Sequence, residues 1–287
     1  MIARQLALGL IQIWKQPVVV ENKTSASGLL ATSASGLLAL GALAQAKNDG
    51  YTLGVMVSPV TAIAPLTQPS FKYDVEKDFT AVSDLVDYTL VMLAGRQHKV
   101  TSVAQVVELA KTKPTAVSYG SSGIGGTNHL AGELFSRAAQ APMLHVPYKG
   151  NAPAVAAAMS GEVTFTFAQQ DGAMALASSG KLMPLAVMAS KRLTALPNVP
   201  TMAESGYPGL EVGGWTGVMA PANLPASILS KLAQGIEHVK GTTEFKTRME
   251  AMGFPMTPTS PQAFGDRIRV ERDFWNAKIS EIKIALQ

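Results

Sequence analysis

The chain has 287 residues, 47% apolar and 15% charged, which is room for two domains with sizeable cores and is unlike a disordered chain. Its net charge of +4 and pI near 9.2 are spread along the chain rather than gathered in a basic stripe, so small anions suit it better than a nucleic-acid backbone. The absence of cysteine excludes disulfides, thiol catalysis and cysteine-ligated metals, and His98, His129, His145 and His238 lack the spacing of a helical metal site. No uninterrupted apolar stretch reaches the length of about 18 residues that a membrane span needs.

Ile2, Leu6, Leu10 and Ile13 recur at helical spacing, so the chain opens on an amphipathic helix. Gln12, Trp14 and Lys15 interrupt its apolar stretch and no small-x-small site precedes Pro17, so no intact signal peptide is read here. After the apolar run Pro17–Val20 comes a tandem repeat, Thr24–Ala31 copied letter for letter as Thr32–Ala39. Two copies are too few for a solenoid. A helix with Leu30, Ala34, Leu37, Gly41 and Ala44 on one stripe absorbs them, although eight added residues turn its far end about 80° from any earlier packing face.

From the turn signal Asp49-Gly50 the pattern alternates. Strands are expected at Tyr51–Val57, at Ala81–Val82 and Tyr88–Ala94, and at Thr115–Tyr119, Met143–Val146, Val163–Phe167 and Leu182–Ala189. Helices are expected at Ser102–Lys111, Thr127–Ala139, Ala152–Met159 and Gly172–Ser178. Such alternation predicts parallel sheets built from βαβ units. After the strand Trp215–Ala220, helices at Pro225–Lys240, Thr243–Met252 and Pro261–Ile284 close the chain, the last with Phe264, Ile268, Trp275, Ile279 and Ile282 on one face. Ligands in open α/β sheets bind beyond the carboxyl ends of the strands.

Ser118-Tyr-Gly-Ser-Ser-Gly-Ile-Gly-Gly-Thr127, between a strand and a helix, carries the most chemistry. Its glycines permit positive φ, the helix behind it offers free N–H groups and a positive dipole end, and Ser121, Ser122 and Thr127 add hydroxyls, a set suited to a carboxylate or phosphate. The same residues also make an ordinary tight turn with a helix cap. Their spacing fits neither a dinucleotide fingerprint nor a P-loop, and Gly120–Gly123 is one residue short of a nucleophile elbow. Ser178–Lys181 matches S-x-x-K without its companion motifs. His129, early in the next helix, reads as a general base or as a structural histidine. In His145–Gly150, Tyr148 offers a hydroxyl and Lys149 a charge, and at the next strand end Gln169, Gln170 and Asp171 offer amides and a carboxylate. No local Ser/His/Asp set or acid–base carboxylate pair exists, so no catalytic residue, cofactor or metal is expected.

Pro17–Asn22, Asp49–Leu53, Tyr73-Asp74 with Asp78-Phe79, Tyr119–Gly126, His129–Phe135, His145–Gly150, Leu196–Thr201, Ala203–Gly206 and Ala220-Pro221 occur in this order in one family. From residue 3 to its end the chain resembles the Bug-type periplasmic solute-binding receptors of tripartite tricarboxylate transporters. The resemblance implies an α/β fold of the two-lobed periplasmic binding protein type (type II-like), each lobe a mainly parallel sheet flanked by helices, with a helical C-terminal tail. Residues 1–94 with 217–287 would form the first lobe and 95–216 the second. The family's signal peptide, first strand and Pro-Gly-Gly loop fall ahead of Met1, so this chain is expected to lack them.

The same resemblance implies a monomeric periplasmic receptor, not an enzyme, that captures a small carboxylate in the cleft between lobes and delivers it to the membrane components of the transporter. Ser121, Ser122, Gly123, Gly125, Gly126 and Thr127 would hold the carboxylate through backbone amides and bridging waters, with Tyr148, Gln169, Gln170 and Asp171 completing that side. Nucleic acid is not an expected partner. Two other readings stay open: a truncated or decayed member without binding activity, and a cleft hydrolase using Ser121 or Ser122.

Overall fold

The computed structural model describes residues 1–23, 32–68, 71–113, 115–256 and 259–282. The chain divides into two compact units, the first within Met1–Gly28, Ser33–Asp87 and Gly214–Glu281, the second built on Tyr88–Gly213. The first unit opens with α1 (Ile2–Trp14), α2 (Thr32–Ala44) and β1 (Gly54–Val57). A π-helical turn, Pro59–Ile63, then runs into α3 (Ala64–Thr67), and after α4 (Val75–Asp78) the strand β2 (Phe79–Gly95) carries the chain into the second unit. There follow α5 (Val103–Thr112), β3 (Ser118–Ser121), α6 (Thr127–Ala138), β4 (Leu144–Pro147), α7 (Asn151–Ser160), β5 (Phe165–Gln169), α8 (Gln170–Ser178) and β6 (Leu182–Val187). β7 (Gly213–Pro221) leads back to the first unit, which ends in α9 (Ala226–Gly241), α10 (Thr243–Ala251) and α11 (Pro261–Ile282). Among the described residues no helix is long and apolar enough to cross a membrane.

In the first unit, α1 buries Leu6, Ala7 and Leu10 and packs against α9 and α10, as its helical spacing predicts. Leu40 and Leu43 of α2 join Met56, Val60, Val75, Phe79, Trp215, Met219, Phe264 and Ile268 in the core. The buried stripe of α2 is therefore Leu40 and Leu43, with Leu37 and Ala44 packed beside it. The second copy of the octapeptide starts this helix. The first copy, 24–31, and the side chain of Ala34 lie outside the described residues. Phe264, Ile268, Trp275 and Ile279 are buried along α11, as their spacing predicts.

β2 corrects the expectation of two short strands, Ala81–Val82 and Tyr88–Ala94. It is one strand of 17 residues, and the division between the two units falls within it, at Asp87/Tyr88. The polar residues that read as a break are held by charged side chains of α9 and α11. Ser83 donates its hydroxyl to Glu237 at 2.9 Å, and Arg267 pairs with Asp84 and, at 2.6 Å, with Asp87. The Asp87 amide donates to the Pro255 carbonyl at 2.8 Å.

The sheets are mixed in direction rather than mainly parallel. β1 runs antiparallel to β7, and β2 antiparallel to both β5 and β6, while β3 is parallel to β4 and to β5. β3–α6–β4, β4–α7–β5 and β5–α8–β6 are βαβ crossovers, in which the helix returns the chain to the same end so that successive strands run parallel, β5 and β6 on either side of β2. β2 and β7 enter from another unit and are free of that constraint. The second unit's core gathers Val91, Leu93, Ala157, Ala158, Val163, Ala168, Ala173, Leu182, Val187 and Val199. β3 also lies closer to the glycine-rich segment than the expected Thr115–Tyr119, because Gly120 and Ser121 pair in register with Val146 and Pro147.

Candidate functional site

β3 lies between β5 and β4, parallel to both, so the segments after these strands emerge at one edge of the second unit. Those segments are Ser122–Gly126, Tyr148 and Gln169–Asp171. The carboxyl ends of parallel strands are where α/β sheets place ligands.

The turn from β3 into α6 uses positive φ at Gly123 (123°) and Gly125 (77°), which a side chain would strain. Most of its polar groups are satisfied internally. The Ser122 amide and hydroxyl both donate to Asn128 Oδ1, at 3.2 and 2.9 Å. The Gly123 amide donates to Ser121 Oγ at 3.1 Å, the Gly125 amide to His129 Nδ1 at 3.1 Å, and the Gly126 amide to the Gly123 carbonyl at 3.2 Å. Among the described residues, the amides of Ile124, Thr127 and Asn128 have no partner. Ile124 is exposed and Thr127 half-buried; in the first turn of the 12-residue helix α6 the His129 amide donates to Asn128 Oδ1 at 3.1 Å, which leaves the Thr127 and Asn128 amides for something else.

Behind the turn lies a stack of rings that sequence reasoning missed as a group. The β3–β4 register sets Tyr119 opposite His145, with ring centroids 5.0 Å apart, and His145 stacks on His129 of α6 at 4.0 Å. Tyr119 donates its hydroxyl to Glu133 at 2.7 Å. His129 Nε2 lies 3.9 Å from the same carboxylate oxygen. Ser121 Oγ, fully buried, is 2.6 Å from His145 Nε2. Burial pushes the His145 imidazole down to about 4, and the neighbouring His129 adds to that. His129 is lowered too, chiefly by burial, against an opposing pull from Glu133. Fifteen intervening residues conceal this pair in the sequence; the signal that could reveal it is the parallel β3–β4 pairing.

The remaining expected site residues have structural partners. Tyr148 donates its hydroxyl to Glu162 at 2.7 Å, and its amide extends the β3–β4 ladder by donating to the Ser121 carbonyl at 2.9 Å. Gln170 is buried, and its Oε1 accepts the Thr89 amide of β2 at 2.8 Å. Asp171 is exposed and accepts from the Gly172 amide at 2.8 Å, while Gln169 is exposed at the end of β5. Among the described residues no three His, Cys, Asp or Glu side chains converge as metal ligands.

Residues 2–284 match the family described as tripartite tricarboxylate transporter family receptor. The chain belongs to this family. It is 33% identical to protein BugT of Bordetella pertussis over 250 residues, which span 87% of this chain and 73% of that protein. A solved structure of R. palustris Rpa4515 with adipate superposes with a TM-score of 0.89 at 29% identity, covering 99% of this chain and 93% of the other. MatC of Rhodopseudomonas palustris with bound malate gives 0.83 at 26% identity, covering 97% and 93%. The two-lobed periplasmic binding protein fold that the sequence motifs imply is thus the fold of its relatives. The family is one of solute-binding receptors, not of enzymes. The Ser121–His145 contact does not reopen the hydrolase reading, because Ser121 is shut away from solvent.

Proposed function

We propose that this protein is a periplasmic receptor that captures a small dicarboxylate and passes it to the membrane components of a tripartite tricarboxylate transporter. The observation that carries the proposal is the set of unpartnered amides at Ile124, Thr127 and Asn128, at the positive end of α6 beyond the parallel strands. The Thr127 hydroxyl adds a donor beside them. Of the expected contacts, Ser121, Ser122, Gly123, Gly125, Gly126, Tyr148 and Gln170 would shape this edge, while Thr127 and Gln169 would offer donors to the ligand and Asp171, an acceptor only, would meet it through bridging water. The two compact units are the receptor's lobes, and it works as a monomer. The adipate and malate held by its structural relatives favour two carboxylates over one. The basic net charge agrees with an anionic ligand.

Thermal unfolding with a panel of C4 to C6 dicarboxylates and matched monocarboxylates at millimolar concentration tests this. A ligand at about a hundred times its dissociation constant adds about 2.7 kcal/mol, so one or two dicarboxylates raise the midpoint and the monocarboxylates do not. A cooperative melt that no carboxylate shifts contradicts the proposal. A melt without cooperativity would favour the reading of a decayed chain.

A further inference from the structure

His129, buried, and His145, half-buried and stacked on it, are titratable rings lying directly behind the loop. Gly125, whose amide donates to His129 Nδ1 at 3.1 Å, is the left-handed residue between the free Ile124 amide and the helix start. A donated hydrogen bond requires that Nδ1 carry a lone pair, which leaves the proton on Nε2, the nitrogen that faces Glu133 at 3.9 Å. Glu133 is itself held by the Tyr119 hydroxyl at 2.7 Å. The Gly125 amide therefore fixes one ring tautomer, and the Glu133 carboxylate, beyond hydrogen-bond reach at 3.9 Å, favours the same proton position through its charge.

We propose that His129 is a positioning residue of the carboxylate site: by drawing the Gly125 amide inward, its Nδ1 lone pair sets which amides of the loop face the ligand. This rests on the dicarboxylate-receptor reading. Reversing the Gly125 bond would let the peptide planes on either side of it rotate and would lose the alignment of the Ile124 and Thr127 donors.

The groups facing His129 give the arrangement a pH dependence. From its own helix comes Glu133, from β4 the stacked His145 ring, and from β3 the Tyr119 hydroxyl through Glu133. A proton on Nδ1 turns the acceptor into a donor aimed at the Gly125 N–H. Stacking at 4.0 Å also makes a charge on either imidazole unfavourable to the other. Burial lowers both rings, so the bond is intact at neutral pH and is lost on acidification below the ordinary histidine range of about 6.5.

The test uses the whole chain, wild type, His129→Ala and His129→Asn. Asn places its Oδ1 near the position of Nδ1 and does not titrate. The ligand-free readout is the protection factor of the Gly125 amide by NMR hydrogen exchange between about pH 7.5 and pH 4.5. Wild type is expected to lose protection as pH falls. His129→Ala loses at least about tenfold at neutral pH, and His129→Asn keeps protection at every pH. The second readout is adipate affinity at neutral pH, weakened in His129→Ala and retained in His129→Asn. Equal Gly125 protection in wild type and His129→Ala overturns the proposal, as does a wild-type pH profile that persists in His129→Asn. Should none of the C4 to C6 dicarboxylates bind even wild type, the receptor reading fails, and the exchange profile still decides whether His129 holds the loop.

Discussion

Gly132 shows how tightly the ring stack behind the loop is built. A Cβ on it would lie 2.1 Å from Tyr119 Cε2, and the ring has nowhere to go, since His145 and Phe165 stack on it and Glu133 holds its hydroxyl. Gly132→Ala is therefore expected to cost ~1–3 kcal/mol, read as a lower urea midpoint without ligand. Gln170 makes a comparable case. Gln170→Ala strands the Thr89 amide inside the second unit at a cost of ~1–3 kcal/mol, a loss visible without ligand and thus separable from any binding role. At this scale the sequence is partly legible. Glycines between a strand and a helix announce a turn with outward donors, and hydroxyls announce polarity. It does not announce which donors are used up, because Asn128 and His129 reach backwards from the helix to take the amides of Ser122 and Gly125. That depends on side-chain reach across a turn, which no spacing rule records.

At the scale of elements, β2 depends on α11. Arg267 is the shared partner of Asp84 and Asp87, and Asp84 is buried with one carboxylate oxygen unpartnered among the described residues. Even so, burial and the neighbouring Asp87 push Asp84 up to about 6. Removing the cation leaves a buried carboxylate uncompensated, so Arg267→Ala is expected to cost ~3–5 kcal/mol, whereas a cut at the exposed, solvent-screened Arg192–Glu204 pair is expected to cost far less. Chemical denaturation of the two variants compares them directly. The same ion cluster explains why two strands are expected where one exists. Ser83, Asp84 and Asp87 interrupt the apolar pattern, and their partners lie more than 150 positions away on α9 and α11. The helices themselves are well marked, because Leu6 and Leu10 in α1 and Phe264 through Ile279 in α11 repeat at the helical period and are buried.

For the whole molecule, stability against pH carries two opposed contributions. Asp84, raised to about 6, contributes stability that is complete below its ordinary value near 3.9 and is lost as pH rises through 6. His145, lowered to about 4, contributes stability that is complete above about 6.5 and is lost as pH falls toward 4. Between about pH 4 and 6 the two slopes offset each other. Asp84→Asn removes one of them, so its unfolding free energy is expected to rise more steeply with pH across that window than that of wild type. Urea midpoints at half-unit pH steps check this, and equal slopes would contradict it. The α/β class and the order of elements are readable from alternation, whereas the strand directions are not, because β2 and β7 carry the chain between units and escape the crossover rule.

The measurement closest to the central claim is an amide-resolved NMR titration of the wild-type protein with adipate and, separately, malate. The account predicts saturable shifts, largest at the Ile124, Thr127 and Asn128 amides, with the Ser122 and Gly126 amides following weakly because their bonds are internal. Saturable binding that leaves Ile124, Thr127 and Asn128 unmoved would place the carboxylate elsewhere and contradict it.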